Sequence, residues 1–233
     1  MRERTVGLLL VLLGAASGLA QEPGRPTLGR PSEGPFWEAR SYERWTREEV
    51  QEILLDSPWT QTASLVEPGV VALPSPRKFY VQWYSAQTLR EALVRLRHLQ
   101  GKVNPVEDTR FLEDPRPGYQ FYIFSAVESD DGRVRTAPIG PFEGMTQEEV
   151  QQGTELHFSA QEYRSRPDEV EFVRDADTGR LAGIRLTFLR AREAMPPERA
   201  RQGEVQLVCP TPRGTLSASF RLDEMRRHGR PDL

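Results

Sequence analysis

Cys209 is the only cysteine among 233 residues, so no disulfide can form within the chain, and a hydrophobic core must hold whatever fold it adopts. This constraint bites because the chain begins like an exported one, and small exported domains are commonly stapled by disulfides. Arg2 and Arg4 precede an apolar run from Val6 to Leu13, and small residues then lead to Gly18-Leu19-Ala20. The pattern is that of a secretory signal peptide cleaved after Ala20, leaving Gln21 as the mature terminus. The run is too short to span a bilayer, which takes about 20 apolar residues. No cysteine at the junction offers a lipid anchor, and no second long apolar run follows. The mature chain is therefore expected to be soluble, exported to the periplasm or beyond, and free of a transmembrane segment.

About 213 residues remain after cleavage, enough to bury a substantial core. The formal net charge is -3, and loss of Arg2, Glu3 and Arg4 makes it one unit more negative. With charges of both signs mixed along the chain, there is no basic stripe of the kind that binds nucleic acid. All 31 basic residues except Lys78 and Lys102 are arginine. Spread through every segment beside many Ala, Gly and Pro, they read as a compositional bias rather than a selected anion site. Cys209 shares a strand face with Val205 and Leu207, where a buried, inert thiol is expected. A nucleophile would need a lowered pKa and a nearby base, and its neighbours supply neither.

Gln21 to Pro35 is rich in Pro, Gly, Arg and Ser and reads as a disordered linker, with order beginning near Phe36-Trp37. Thr46 and Glu49 have capping-box spacing, and Trp45 is placed to staple against Val50. Val50, Ile53 and Leu54 then share a helix face, and Pro58 forbids continuation. An aromatic strand is predicted over 78–84. Ser85 is the expected N-cap of a helix over 86–100, whose stripe is Leu89, Leu93, Leu96 and Leu99, with Gly101 as C-cap. A second capping box, Thr146 with Glu149, starts a helix that Gly153 keeps short. From Tyr119 onward, strands are predicted over 119–127, 134–139, 155–159, 169–174, 181–189, 204–209 and 216–222. The turns at 175–179 and 211–214 make hairpins of the later ones.

This pattern predicts a single α+β domain over 36–233. It would be mainly an antiparallel β-sandwich or curved sheet with two or three accessory helices. A helix/strand/helix part over 36–104 would be followed by a hairpin-rich part over 119–233.

All four tryptophans, Trp37, Trp45, Trp59 and Trp83, fall in one stretch. Either they bury area where helices dock on the sheet, or some form an aromatic platform for a ligand. Trp59, at a helix exit, and the nearby Tyr80 and Tyr84 are the candidate ligand-binding residues. Asp175-Ala176-Asp177-Thr178-Gly179 has too few oxygen ligands for a calcium loop and reads as a turn. Glu128, Asp130 and Asp131 beside Gly132 read as a solvated turn before a metal site. His98, His157 and His228 show no metal-ligand spacing, so neither a metal nor a cofactor is expected. Glu155, His157 and Ser159 alternate onto one strand face, but neighbours on a face lie about 7 Å apart, too far for the direct bonds of a triad. No nucleophile elbow, P-loop or dinucleotide fingerprint is present.

The run Trp45-x-x-x-Glu49-Val50-x-x-Ile53-Leu54-x-Asp56-Ser57-Pro58-Trp59 resembles the opening motif of a group of uncharacterised exported bacterial proteins. Trp83-Tyr84-Ser85-Ala86 followed by Leu89-Arg90-Glu91-Ala92, and the ending Phe220-x-Leu-x-x-Met225 with Gly229 and Asp232-Leu233, are similar to theirs. The resemblance implies a complete protein of one type and brings no activity, cofactor or catalytic residue. The expected function is thus an exported, non-enzymatic binding or scaffold module, its partner an envelope protein or glycan. The alternative is a hydrolase acting on envelope or extracellular polymer, with Glu128, Asp130 or Asp131 as acid and base.

Overall fold

The computed structural model describes residues 34–66, 77–128, 134–196 and 203–233. The leader, the linker up to residue 33, and Asp130 and Asp131 lie outside the described residues. The order of elements is α1 (Phe36–Ala39), α2 (Arg47–Leu55), β1 (Thr60–Val66), β2 (Arg77–Trp83), α3 (Gln87–Leu99), α4 (Pro105–Glu113), β3 (Tyr119–Glu128) and β4 (Val134–Ala137). There follow α5 (Gln147–Gly153), β5 (Glu155–Phe158), β6 (Tyr163–Ser165), β7 (Glu169–Arg174), β8 (Leu181–Phe188) and α6 (Leu189–Ala194). The chain closes with β9 (Glu204–Thr211), β10 (Gly214–Arg221), β11 (Arg226–Arg227) and β12 (Arg230–Pro231).

Ten of these strands make one antiparallel sheet in the order β6-β5-β9-β10-β1-β2-β3-β8-β7, with β4 beside the distal half of β3. The sheet curls into a half-barrel, so the fold is α+β with a curved sheet rather than a sandwich. Six helices are present among the described residues, more than the two or three expected. Inside the curl, Trp83 packs edge-on to Tyr119 and Phe220, and Phe121 edge-on to Phe188. Strands from both parts of the chain interleave: β1 pairs with β10 and β2 with β3.

The helix-start grammar is realised atom by atom. Thr46 Oγ1 accepts from the Glu49 N–H at 3.2 Å, while the Glu49 carboxylate accepts from the Thr46 N–H at 2.9 Å. Thr146 and Glu149 repeat the exchange. Trp45 and Val50 are both fully buried, as a staple requires. The start of α3 differs from expectation. The helix begins at Gln87, and Ser85 does not cap it; its Oγ accepts from the Gln120 N–H instead. The orphan donors of the first turn go to Asp232, whose Oδ1 accepts from Gln87 N at 2.6 Å and whose Oδ2 accepts from Thr88 N at 2.9 Å. A carboxylate carries a full charge into the positive end of the helix, which a hydroxyl does not.

Cys209 is buried beside Val205 and Leu207, its Sγ 3.0 Å from Thr154 Oγ1. Burial pushes its pKa up to about 11, so the thiolate is scarce at neutral pH. A disulfide-exchange reagent at mildly alkaline pH should leave the folded protein untouched and titrate a single thiol once urea unfolds it. Rapid reaction of the folded protein would contradict this burial.

Candidate functional site

Alternation along β2 and β3 sends successive side chains to opposite faces. Val81, Trp83, Phe121 and Ile123 enter the half-barrel core, while Tyr80 and Phe124 belong to a second apolar cluster. On that outer face the rings form a row. Tyr80 stacks on Phe124 with centroids 5.2 Å apart and Phe124 on Tyr122 at 5.8 Å. Tyr122 then meets Tyr84 at 6.0 Å, and Tyr84 meets Phe111 of α4 at 6.3 Å. The Tyr122 ring lies across Gly183 of β8, where an added Cβ would sit 2.1 Å from its hydroxyl oxygen. Glycine therefore makes room for the row at that register. Burial raises the pKa of Tyr122 and of Tyr80, so both phenols stay protonated.

The row ends among arginines. Arg90 and Arg97 of α3, and Arg116 before β3, place their guanidinium carbons 5.3, 5.5 and 5.3 Å from the Phe111 centroid. Arg116 also lies 5.9 Å from the Tyr84 ring, and Arg185 of β8 lies 5.0 Å from it. Such contacts are the cation–π geometry. Three carboxylates touch this group: Asp108 at 2.5 Å from Arg97, Glu171 at 2.7 Å from Arg185, and Asp114 at 3.5 Å from Arg116. Arg90 is buried and meets no carboxylate among the described residues; it donates to the backbone carbonyls of Phe111 and Asp114. Burial first, and repulsion from Arg116 second, depress its pKa to about 10, so it remains charged at neutral pH. The Nε–H groups of Arg90, Arg97, Arg116 and Arg185 are buried without an acceptor among the described residues.

The three residues expected to bind a ligand therefore separate. Tyr80 and Tyr84 join one aromatic row, but both are largely covered. Trp59 is elsewhere and has no exposed surface: its ring packs edge-on to Trp37 at 5.4 Å, and its indole N–H donates to the Asp232 carbonyl at 2.8 Å. An open platform carrying all three is not what this fold builds, because the helix exit turns Trp59 inward under the C-terminal residues. Sequence reasoning missed Arg90, Arg97, Arg116, Arg185 and Phe111. Their scatter over 96 positions hid a cluster that only strand pairing and α3–α4 packing assemble.

The other candidates have plain local roles. Asp175 Oδ1 accepts from both the N–H and the hydroxyl of Thr178 at 2.8 and 2.7 Å, closing the hairpin turn. Glu128 lies 3.8 Å from Lys78 across the β2–β3 pair. His98 Nε2 is 2.6 Å from Asp108 Oδ2, which ties α4 to α3. The His228 N–H donates to Glu38 at 2.6 Å. His157 corrects the distance argument: its Nε2 is 2.7 Å from Glu155 Oε2, because two long side chains lean together across a gap that separates their backbones. That contact holds the Glu155 carboxyl below its usual range. No triad results, since Ser159 Oγ is engaged with the Glu204 backbone at 3.0 Å. No group of three or more His, Cys, Asp or Glu could hold a metal ion among the described residues. No helix among them is long and apolar enough to cross a membrane.

The chain matches no family model, no curated protein and no solved structure with which it was compared.

Proposed function

We propose that the chain is an exported binding module that recognises a negatively charged envelope component through the arginine–aromatic cluster at the α3–α4 end of the sheet. The observation that carries this reading is the gathering of four guanidinium groups on two rings, Phe111 and Tyr84, with only three carboxylates in contact. Arg116 and Arg185 are each paired with a carboxylate that is about half exposed, a partner that a stronger anion can replace, and positions held by α3, β8 and the segment before β3 are rigid enough to bind without large ordering costs. The leader pattern of residues 1–20 supports export.

The test is affinity capture from envelope extract with the mature protein starting at Gln21, run beside a variant carrying Arg116→Gln and Arg185→Gln. A protein or glycan retained by the wild type, competed away by free wild-type protein and lost from the variant is the expected result. Retention of the same material by wild type and variant alike would overturn the reading. Recovery of the native protein in the cytoplasmic fraction with residues 1–20 still attached would overturn its export.

A further inference from the structure

We infer that the arginine–aromatic cluster is an oxyanion site for a phosphate or sulfate group, gripped by Arg116 and Arg185, with the buried Arg90 adding charge from within. The inference deepens the binding-module reading and rests on it. Arg90, Arg97, Arg116 and Arg185 outnumber Asp108, Asp114 and Glu171 by one, and Arg90 is the member without a carboxylate among the described residues. The Nε–H groups of all four are enclosed, so an incoming oxyanion meets the outer Nη edges of Arg116 and Arg185, whose side chains keep part of their surface. A carboxylate has two oxygens and satisfies one guanidinium fork. A phosphate or sulfate offers three or four on one atom and can bridge several forks at once.

Access and exchange are also provided for. Arg116 and Arg185 side chains retain 14% and 22% of their exposure, whereas their partners Asp114 and Glu171 retain 51% and 41%. These carboxylates sit at the rim, and the 3.5 Å contact of Asp114 is the loosest of the three. An incoming oxyanion therefore displaces a half-solvated rim partner rather than a buried one. The rings of Tyr84 and Phe111 beneath the guanidinium groups lower the local dielectric response, which strengthens attraction for a charge seated there. Because the cations come from a helix, a loop and a strand, no continuous sequence motif announces the site.

Titration calorimetry of the mature protein at low ionic strength, with inorganic phosphate, sulfate and succinate, tests this. Phosphate or sulfate should bind at least about tenfold more tightly than succinate. Arg116→Gln and Arg185→Gln should each weaken phosphate binding about tenfold, the loss expected for one charge-assisted hydrogen bond. Arg164→Gln, on exposed β6, should leave it unchanged. Circular dichroism confirms that each variant is folded, and two separate variants keep the test alive if one is not.

Vesicles of phosphatidylcholine with and without phosphatidylglycerol then separate the sources. Arg116-dependent binding only to the anionic vesicles assigns the group to a lipid headgroup. Phosphate binding without vesicle binding assigns it to a soluble or polymer-borne group. No heat from phosphate or sulfate with folded protein, or an equal loss in Arg164→Gln, overturns the oxyanion site. If envelope capture still depends on Arg116 and Arg185 in that case, the binding-module reading survives and only the oxyanion assignment falls. Phosphate binding with no captured partner has the converse meaning.

Discussion

Replacing Trp59 by alanine should lower the unfolding free energy by about 3–5 kcal/mol, the range for truncating a large buried aromatic residue. The ring is wholly enclosed, packs edge-on against Trp37, and donates to the Asp232 carbonyl, while its own carbonyl accepts from the Trp83 N–H at 2.8 Å. Deletion would therefore open a cavity and also free an acceptor in the C-terminal residues. Trp59→Phe keeps most of the volume and loses the indole donor, so about 1–2 kcal/mol is expected. Urea unfolding monitored by far-ultraviolet circular dichroism measures both. An alanine variant with wild-type stability and lost envelope capture would restore Trp59 as a ligand contact.

Asp232→Ala comes next, at about 2–3 kcal/mol. The carboxylate accepts two backbone N–H groups of α3, and its backbone N–H donates to the Met225 carbonyl at 3.0 Å. Removing an ordinary cap costs about 1 kcal/mol. Here a full charge at a helix N-terminus is lost, and one buried and one partly buried donor, Thr88 N–H and Gln87 N–H, are left without it at the start of α3. Asp232→Asn keeps one good acceptor oxygen and should cost about half as much. The Gln87 and Thr88 amides give a local reading, since their hydrogen exchange should accelerate in Asp232→Ala relative to amides near Leu93. Unchanged stability and unchanged exchange would show that α3 is capped by something else.

Much of the fold was legible because its signals act over three or four residues. Thr46 with Glu49 and Thr146 with Glu149 need only each other, and Asp175 with Thr178 closes its own hairpin turn. The Leu89, Leu93 and Leu96 stripe is a property of the 3.6-residue repeat. Other elements carried signals that went unread. Asn104-Pro105 starts α4, with Asn104 Oδ1 accepting from the Glu107 N–H at 3.3 Å. No strand is predicted over Thr60–Val66, yet β1 lies between β2 and β10, whose backbones pair with it on both edges.

The candidate site divides along the same line. Tyr80 and Tyr84 stand out in the sequence as aromatics of the strand over 78–84, whereas Arg90, Phe111, Arg116 and Arg185 are indistinguishable there from background composition. Nothing within ten residues of Arg185 reveals that it pairs with Glu171 and stacks on Tyr84. His157 and Glu155 show the opposite error, since backbone spacing alone underestimated what two flexible side chains can span.

By itself, then, the amino-acid sequence determined the two capping-box helix starts, the hairpin turns and the absence of any disulfide within the chain. Each follows from backbone stereochemistry or from residue count. Tertiary structure alone decided that Asp232 caps a helix begun 145 residues earlier, that Trp59 faces inward, and that four distant arginines share two rings. Capping and turn energies are set by neighbours along the chain. Burial and charge clustering depend on which surfaces meet after the sheet has curled, and sequence separation carries no information about that.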